Sequence, residues 1–396
     1  MTFTENSTTE YNELIRAGYK YIEGTPLPQP ISKPKFTLSE LKAAVPSHCF
    51  ERSLVTSFGH LALNLLILGS CFYAAYFLFE LHSLPLLLTV PGYLAYWFVQ
   101  GAYLMGLWVL AHECGHQAFS EIPIVNDIVG LTIHSALFTP YFSWQITHRR
   151  HHSNNGSCEN DEVWVPASYS HAKEHWPEYL EDSPMYSLVN LIGMCVVGWM
   201  PGYLLFNMAG PKKNSGLPKS HFNPNASFFS PEERLSIVIS DVGIFVALVT
   251  LTYFINTYGF FLVLKLHLMP YLSLNTWLVL ITYLHHTHPF VPHYREGEWS
   301  WLRGALCTAD RSFGAWIDSA VHHISDTHIC HHIFSKMPFY HCQEATEAIK
   351  PILGDYYLMD KSSAIDAIWR SITNCKYVPD DGKVVFYQGS VKHKEI

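Results

Sequence analysis

The sequence predicts an all-α integral membrane protein, with four transmembrane helices and a cytosolic helical cap that holds a histidine-rich site for two metal ions. Three observations lead to this prediction. Charged residues make up only 15% of the 396 residues, against about a quarter in typical soluble domains. Several long segments lack Asp, Glu, Lys and Arg altogether. Histidine is abundant, with 24 residues against 25 for Lys and Arg together, and eight of these histidines fall into three short clusters.

The first two membrane spans follow from uncharged segments. Residues 53–79 and 81–112 contain no Asp, Glu, Lys or Arg. A helix needs about 20 apolar residues to cross the hydrocarbon layer. We therefore expect crossings at 56–79 and 88–111, connected by a turn near Pro85.

Four apolar segments follow, and they differ in how well they match a membrane span. Residues 122–142 and 186–206 are interrupted by proline or aspartate, so we expect each to lie in the membrane interface or to dip in without crossing. Residues 235–258 and 269–284 are better candidates for membrane spans, and they predict the third and fourth spans.

The number of membrane crossings between the clusters and the positions of the Lys and Arg residues indicate the topology. If all three histidine clusters form one site, an even number of crossings must separate the second cluster from the third. Of the 25 Lys and Arg residues, 24 lie in segments 1–52, 111–234 and 285–396, and positive residues favour the cytoplasmic side. We expect both termini to be cytosolic. The predicted segments are a cytosolic N-terminal segment (1–52), a transmembrane hairpin (53–111), a cap with two clusters (112–234), a second hairpin (235–284), a cap with the third cluster (285–377) and a tail (378–396).

Net charge and cysteine usage exclude other classes. The formal net charge is −8 and no basic cluster is interleaved with aromatic residues, so we expect no nucleic-acid partner. The nine cysteines are scattered and include no C-x-x-C pair. This favours a reducing, cytosol-facing environment over a disulfide framework.

The three clusters have the spacing of metal ligands. In the first, a helical continuation of the second span would place both histidines on one face. The second and third share the pattern H-x-x-H-H, although they lie far apart in the sequence. The candidate ligands are His112, His116, His148, His151, His152, His328, His331 and His332.

One alternative is a membrane zinc protease. Residues 112–116 match H-E-x-x-H, in which Glu113 would act as general base on a zinc-bound water. This interpretation leaves the six histidines of the other two clusters unexplained.

Eight imidazoles are too many for one metal ion and suit two. Imidazole accepts zinc, copper, iron or nickel, so the residue type does not choose the metal. A nitrogen-rich site beside lipid favours redox chemistry on an apolar substrate, which zinc cannot perform, and iron with dioxygen is our interpretation. Carboxylates that orient the rings are expected, and the candidates are Glu113, Asp161, Glu162 and Asp326.

With these motifs, the chain resembles the membrane fatty acid desaturases, specifically the delta-12 (omega-6) oleate desaturases of plants and fungi, from about Pro46 to Tyr377. The resemblance rests on five motifs. They are PSHCFERS at 46–53, HECGH at 112–116, HRRHHSN at 148–154, DTHICHH at 326–332 and MPFYHCQEAT at 337–346.

The resemblance implies a di-iron centre of two iron ions, with dioxygen as co-substrate. Electrons would come from cytochrome b5 and its NADH-dependent reductase. The expected reaction inserts a cis double bond at the delta-12 position of oleate bound to phosphatidylcholine or CoA, giving linoleoyl chains. The expected location is the endoplasmic reticulum membrane, and Lys392 and Lys394 fit a K-x-K-x-x retrieval signal.

The resemblance also implies a ninth ligand, at the cytosolic end of the fourth span. His286 matches this position, but His285 stands where the family commonly has glutamine, so either could serve. His322 is a further tentative ligand. His288 and His293 are expected on the surface or behind the ligands. An omega-3 or bifunctional desaturase, a hydroxylase and an acetylenase remain alternative activities on the same scaffold.

Overall fold

The computed structural model describes residues 28–82, 84–175, 183–211 and 219–389. The regular structure of these residues is almost entirely helical, which confirms the predicted all-α class. The α-helices are α1 (Leu38–Ala44), α2 (Leu54–Ala75), α3 (Leu86–Gly115), α4 (Pro123–Ala136), α5 (Tyr141–Asn154), α6 (Tyr169–His175), α7 (Pro184–Val197), α8 (Arg234–Tyr258), α9 (Phe260–Val263), α10 (Met269–His286), α11 (Trp301–Ala305), α12 (Ala315–Ala320), α13 (His328–Ile333), α14 (Cys342–Leu353) and α15 (Ala364–Asn374).

Within the described residues, four helical segments are long and apolar enough to cross a membrane. Three of them, Leu54–Leu81, Leu86–Gly115 and Pro231–Tyr258, contain segments that the sequence predicted as spans. Between the first two, the described residues 82, 84 and 85 are not helical, which agrees with a break near Pro85. The fourth is Pro184–Tyr203, for which the sequence predicted an interfacial helix or a shallow dip.

The predicted span 269–284 lies in a longer helical stretch. Helix α9, a π-helical turn at Leu264–Leu268 and α10 follow one another without a break from residue 260 to residue 286. This length suffices to cross a membrane. The stretch contains Lys265, His267 and the buried Asn275, which lower its apolar character. Its burial inside the bundle explains how it tolerates these polar groups.

Helices α3 and α10 form the centre of the bundle. In the most apolar window of α3, 61% of residues are buried, against 17% in each of the other three candidate spans. Gly101 allows the close approach of α3 to α10, because a Cβ there would lie 2.2 Å from the Ser273 hydroxyl. The other long helices present apolar side chains outward, as lipid-facing helices do.

Helices α4 and α5 form a hairpin beside α3. The Trp108 indole of α3 donates to Thr139, between the two helices, at 3.3 Å. Gly130 lets them pack, because a Cβ there would lie 2.2 Å from the Tyr141 ring. The interrupted apolar segment 122–142 therefore packs alongside α3 and turns back, which is compatible with the predicted dip.

The ends of the long helices farthest from the histidines are joined by polar contacts. Lys265, the exception to the cytosolic bias of positive residues, forms an ion pair with Glu80, which also accepts from Tyr93. The Trp97 indole donates to the Lys265 carbonyl at 2.8 Å. This network fastens the two predicted hairpins together.

The cap contains two short strand pairs. Strand β1 (His293–Tyr294) pairs antiparallel with β4 (Val384–Val385), and β2 (Asp310–Arg311) pairs in parallel with β3 (Met359–Asp360). The second pair lies directly behind the third histidine cluster. It therefore connects that cluster to the C-terminal part of the chain.

Candidate metal centre

The first cluster lies at the end of α3. Helix α3 runs unbroken to Gly115, so His112 and His116 are one turn apart and both are buried. Their Nε2 atoms are 3.3 Å from each other. The predicted continuation of the second span through this cluster is what brings the two rings together.

The second cluster occupies the last turns of α5. The Trp144 ring stacks on His148 with ring centroids 4.5 Å apart, and His151 and His152 are buried. The Nε2 atoms of His148 and His112 are 2.8 Å apart. The hairpin of α4 and α5 therefore delivers the second cluster directly against the first.

The third cluster forms the short helix α13. So short a helix depends on its surroundings for stability, and the Asp310 carboxylate supplies support by accepting from the Ile329 backbone N–H at 2.8 Å. Asp310 also accepts from the Tyr357 hydroxyl at 2.8 Å. Burial raises the pKa of Asp310 to about 7.

Among the described residues, the histidines form two adjacent groups whose ligand atoms converge. In each group the ligand nitrogens all lie within 4.8 Å of one another. The larger group has five histidines, and the smaller has three, with His328 beside it because its Nε2 lies 3.0 Å from that of His286. The groups are His112, His116, His148, His152 and His331, and His151, His286 and His332.

This donor set fits two metal ions. Nine imidazoles divide into five and four, and neutral imidazole nitrogen is a common metal ligand. Both ring nitrogens of His332 and the Nε2 of His331 lack a protein hydrogen-bond partner although they are buried. Buried polar atoms in proteins are normally paired, and coordination would satisfy these nitrogens.

The structure separates the roles of the neighbours His285 and His286. His286 lies in the smaller group, with its ring centroid 4.7 Å from that of His151. The Nδ1 of His285 is 2.6 Å from the Ala309 carbonyl oxygen, to which it donates, and its ring stacks on His328. The geometry thus favours His286 as the ninth ligand and gives His285 a supporting position.

The tentative ligand His322 lies outside both groups. Its ring packs against His60 and Phe339, with ring centroids 5.7 and 4.9 Å away. His288 and His293 are both buried, so a surface position for them is wrong and the expected alternative, a position behind the ligands, remains. His288 Nε2 lies 3.4 Å from the Asp360 carboxylate.

Two of the four candidate carboxylates contact ligand rings. Asp161 lies 2.8 Å from His151 Nδ1, and Glu113 lies 3.2 Å from His112 Nδ1. Such contacts fix the ring orientation and the tautomer of a ligand. Asp326 instead contacts His323 at 3.1 Å, and Glu162 is buried next to Asp161.

The position of Glu113 disfavours the protease interpretation. In that mechanism the glutamate acts on a metal-bound water, so it must face the metal side of the ligand histidines. Here Glu113 is 1% exposed and contacts the Nδ1 edge of His112, whereas the convergent atoms are the Nε2 atoms. Its carboxylate also lies 3.8 Å from His331 Nδ1. It therefore lies behind two candidate ligands.

Burial keeps the candidate ligands His116 and His152 neutral. Burial, followed by the neighbouring His151, lowers the pKa of His116 to about 3. Burial and then His332 hold the pKa of His152 well below the ordinary value. Removing an imidazole from water disfavours its charged form, and the neutral form is the one that binds metal.

Sequence reasoning missed the aromatic enclosure of the site. Trp108 stacks on His112 at 5.6 Å between ring centroids, and Trp164 stacks on His286 at 6.1 Å. Neither tryptophan is a metal-ligand residue type, so ligand spacing could not assign it to the site.

The basic pair after His148 contacts a single carboxylate. Arg150 donates to the Glu233 carboxylate at 2.7 and 3.0 Å and Arg149 lies 3.7 Å from the same carboxylate.

Comparison with known proteins identifies the family of this chain. Residues 91–363 match the family model of the fatty acid desaturases. The chain is 46% identical over 357 residues to a delta(12)-oleate desaturase of Trichosanthes kirilowii, covering 89% of this chain and 93% of the relative. It is 47% identical to an omega-6 fatty acid desaturase, endoplasmic reticulum isozyme 1, of Glycine max, and 45% identical to an oleoyl-12-hydroxylase of Ricinus communis, covering 89% of this chain in both cases. The chain therefore belongs to the fatty acid desaturase family.

Proposed function

We propose that this protein is a delta-12 oleate desaturase, which inserts a cis double bond between C12 and C13 of an oleoyl chain and yields a linoleoyl chain. The observation that carries the proposal is the convergence of nine histidines into groups of five and four, in which every ring except the partly buried His148 is buried. Relatives at 46% and 47% identity with delta-12 and omega-6 names support the position of the new double bond.

Two iron ions are the proposed cofactor. His112, His116, His148, His152 and His331 would hold one, and His151, His286, His328 and His332 the other. When bound, the iron pair supplies oxidation by dioxygen. The overall reaction balances if dioxygen takes four electrons and becomes two waters. Two hydrogen atoms, which carry two of the electrons and two of the protons, come from C12 and C13. Cytochrome b5 supplies the other two electrons, and water supplies the other two protons.

The protein's own contribution is to hold and orient groups. Asp161 and Glu113 keep the Nδ1 atoms of their histidine partners occupied, so the Nε2 atoms point inward. Trp144 and Trp108 cover the His148 and His112 rings and exclude water from that side. Fixed rings in a site closed to water would hold the metal pair in one position relative to the acyl chain, and a misplacement of about 1 Å can cost on the order of a hundredfold in rate.

The proposed setting is the endoplasmic reticulum membrane, with both termini and the cap in the cytosol. The site lies at one end of the long helices, and the Lys265–Glu80 network lies at the other. A cap on the cytosolic side would be accessible to cytochrome b5 and its NADH-dependent reductase. The proposed substrate is oleate carried by phosphatidylcholine or CoA in the same membrane.

A second candidate is 12-hydroxylation of oleate. The Ricinus communis oleoyl-12-hydroxylase is 45% identical over 354 residues, which is close to the identity with the desaturases. Both reactions begin at the same carbon, so a similar site would serve either. The product, and not the level of identity, separates the two.

Fatty-acid profiling of yeast that expresses the chain tests the proposal. A strain that makes oleate but no linoleate should accumulate linoleate with a cis double bond at C12, and this should stop without oxygen. The His331→Ala chain, accumulated to the same level in membranes, is the matched control. Accumulation of 12-hydroxyoleate would favour the hydroxylase, and an unchanged profile with active reductase and cytochrome b5 present would contradict both.

A further inference from the structure

A second cluster of metal-ligating side chains lies outside the histidine groups. It joins the 3₁₀ turn Ser47–Phe50, which precedes the first span, to the start of α14. These segments lie far apart in the sequence, on either side of all four spans. The ligand atoms of the four side chains all lie within 4.8 Å of one another. The four residues are His48, Cys49, His341 and Glu344.

The contacts within this cluster are short and involve all four side chains. His48 Nε2 lies 2.9 Å from the Glu344 carboxylate and 3.6 Å from the Cys49 Sγ. The rings of His48 and His341 have centroids 5.4 Å apart. Zinc bonds of about 2.0–2.3 Å in a tetrahedron place neighbouring ligand atoms roughly 3.3–3.8 Å apart. Small side-chain rotations would bring these atoms to that spacing.

The four residues lie at the boundary between the protein surface and an apolar core. The side chains of His48 and Glu344 are 53% and 51% exposed, whereas Cys49 is 0% exposed. Cys49 belongs to an apolar cluster that also contains Cys330 of the third histidine cluster and Cys342 of α14. The thiol thus approaches from the protein interior and the carboxylate and imidazole from the surface. A metal ion here would be reachable from solvent and anchored from below.

A zinc site accounts for all four side chains, whereas an exposed ion pair accounts for only two of them. A surface histidine–glutamate pair contributes little to stability and requires neither a thiol nor a second imidazole. Two imidazoles, a thiolate and a carboxylate are all zinc ligands, and thiolate selects against magnesium and calcium. We propose that His48, Cys49, His341 and Glu344 form a structural zinc site that fastens the segment before the first span to the helix after the third histidine cluster.

This site is separate from the proposed iron centre. Its donor set includes sulfur and oxygen, whereas the histidine groups offer nitrogen only. Its position on α14 means that zinc would hold the outer side of α13, because α14 packs against α13 through the shared apolar cluster. The zinc site is therefore structural, and it does not depend on which acyl chain the enzyme oxidises.

Metal analysis of the full-length protein, purified in detergent, tests the proposal. The wild-type chain should carry one zinc in addition to iron after exposure to a zinc-buffered solution and removal of loose metal by a weak chelator. His48→Gln and His341→Gln should lose the zinc and keep the iron, with an unchanged gel-filtration profile. His171→Gln is the matched control, because it removes an exposed histidine that also lies beside another imidazole, His175. It should keep the zinc.

Cobalt exchange gives a second, independent readout. Cobalt in place of zinc should show thiolate-to-metal charge-transfer absorption that disappears in Cys49→Ser. If Cys49→Ser fails to fold, His341→Gln serves instead. It leaves the thiol in place, and the charge-transfer absorption should be absent because the metal no longer binds. Equal zinc in the wild type, His48→Gln and His341→Gln, zinc loss in His171→Gln as well, or a different metal at this site would overturn the proposal.

Discussion

Single imidazole rings in this protein have two distinct edges. In six of the nine candidate ligands Nε2 lies within 3.3 Å of the Nε2 of another histidine. In His151 and His112 the Nδ1 edge faces a carboxylate. A carboxylate in this position fixes the tautomer in which Nε2 carries the free lone pair. These carboxylates are therefore part of the candidate site, because they set which nitrogen of each ring is free to bind metal.

Asp161 offers a test of this arrangement. Its carboxylate is fully buried, accepts from the backbone N–H of Val163 at 2.9 Å, and contacts His151. In Asp161→Asn the amide no longer fixes the His151 tautomer, so we expect iron affinity or linoleate formation to fall about 10–100-fold. Iron content and product yield are the measurements. The exposed Asp381→Asn serves as control, and equal activity of the two variants would contradict the role given to Asp161.

The neighbouring pair His285 and His286 offers a sharper residue-scale prediction. His286→Gln removes a ring from the smaller group and should abolish iron binding there and product formation. His285→Gln should retain both, because an amide can still donate to the Ala309 carbonyl that His285 contacts at 2.6 Å. Iron per chain and linoleate yield separate the two variants. The opposite pattern would make His285 the ligand.

Among the elements, the pairing of β2 with β3 supports the third histidine cluster. Asp310 in β2 holds the start of α13 through the Ile329 N–H. The same strand pair contains a buried ionic network, in which Asp360 pairs with Arg311 and Arg370 and lies beside His288. The network therefore determines where α13 lies relative to the rest of the cap.

Removing the charge of Asp360 should destabilise this part of the cap. Asp360→Asn leaves the buried Arg311 without its carboxylate, and breaking a buried ion pair in this way costs about 3–5 kcal/mol. We expect a lower thermal unfolding temperature in detergent and loss of iron, since α13 loses its support. The exposed Asp355→Asn is the matched control. An unfolding temperature that matches this control would show that the network does not hold the cap.

For the whole molecule, the burial of many histidines together predicts how stability depends on pH. Burial lowers the pKa of His116 to about 3 and holds those of His148, His328 and His331 well below 6.5. The unfolded chain binds protons below about pH 6.5 that the folded chain does not. The stability of the metal-free protein should therefore be constant above that value and fall as the pH decreases toward 5.

Thermal unfolding of the iron-stripped protein from pH 8 to pH 5 measures this effect. Iron retention by the loaded protein should fall over the same range, since protons compete with metal for the same nitrogens. Replacement of His171, which lies in the exposed α6, should leave the pH dependence unchanged. A midpoint that stays constant down to pH 5 would contradict this account.

The topology of Pro184–Tyr203 is a further prediction at the scale of the whole molecule. The clusters on α5 and α13 are in contact, so an even number of crossings separates them. The predicted crossings by α8 and the stretch 260–286 already make two, so we predict that 184–203 does not cross. Three contacts hold 184–203 beside the site, and they support this prediction. They are Met194 with the cluster that contains Tyr283, Trp199 with Trp108, and the Tyr203 hydroxyl with Thr147.

A natural glycosylation sequon tests this topology. Asn225, followed by Ala and Ser, is exposed and lies between 184–203 and α8. If 184–203 does not cross, Asn225 stays cytosolic and carries no glycan. Glycosidase treatment of the protein from endoplasmic reticulum membranes measures this. A loop with an acceptor sequon inserted after Gly259, on the predicted lumenal side, is the positive control, and a glycan on Asn225 would mean that the segment crosses.

Local patterns predicted the long helices and the histidines that converge in the structure. Uncharged runs predicted α2 and α3, an apolar run interrupted by Asp241 predicted α8, and the H-x-x-H-H spacing singled out the rings of α5 and α13. Contacts between distant segments were not predictable in this way. The choice of His286 over His285 depends on the Ala309 carbonyl, and the Asp360 network joins three separate elements of the cap. The fourth span was predicted at 269–284, but its extension back to residue 260, through a π-helical turn that contains Lys265, was not.

The order in which the ligands appear along the chain has a consequence for biosynthesis. The larger histidine group needs His112 and His331, and the smaller needs His332, so more than half of the chain is made between the first ligand and the last. Ribosomes add about 5–20 residues per second, so the early histidines exist for roughly 10–45 seconds before their partners emerge. During that interval the pair His112 and His116 lacks the rings that complete its group. We therefore expect the metal content to depend on which ion meets this pair before the third cluster emerges, and excess zinc during synthesis should lower the iron content of the purified protein.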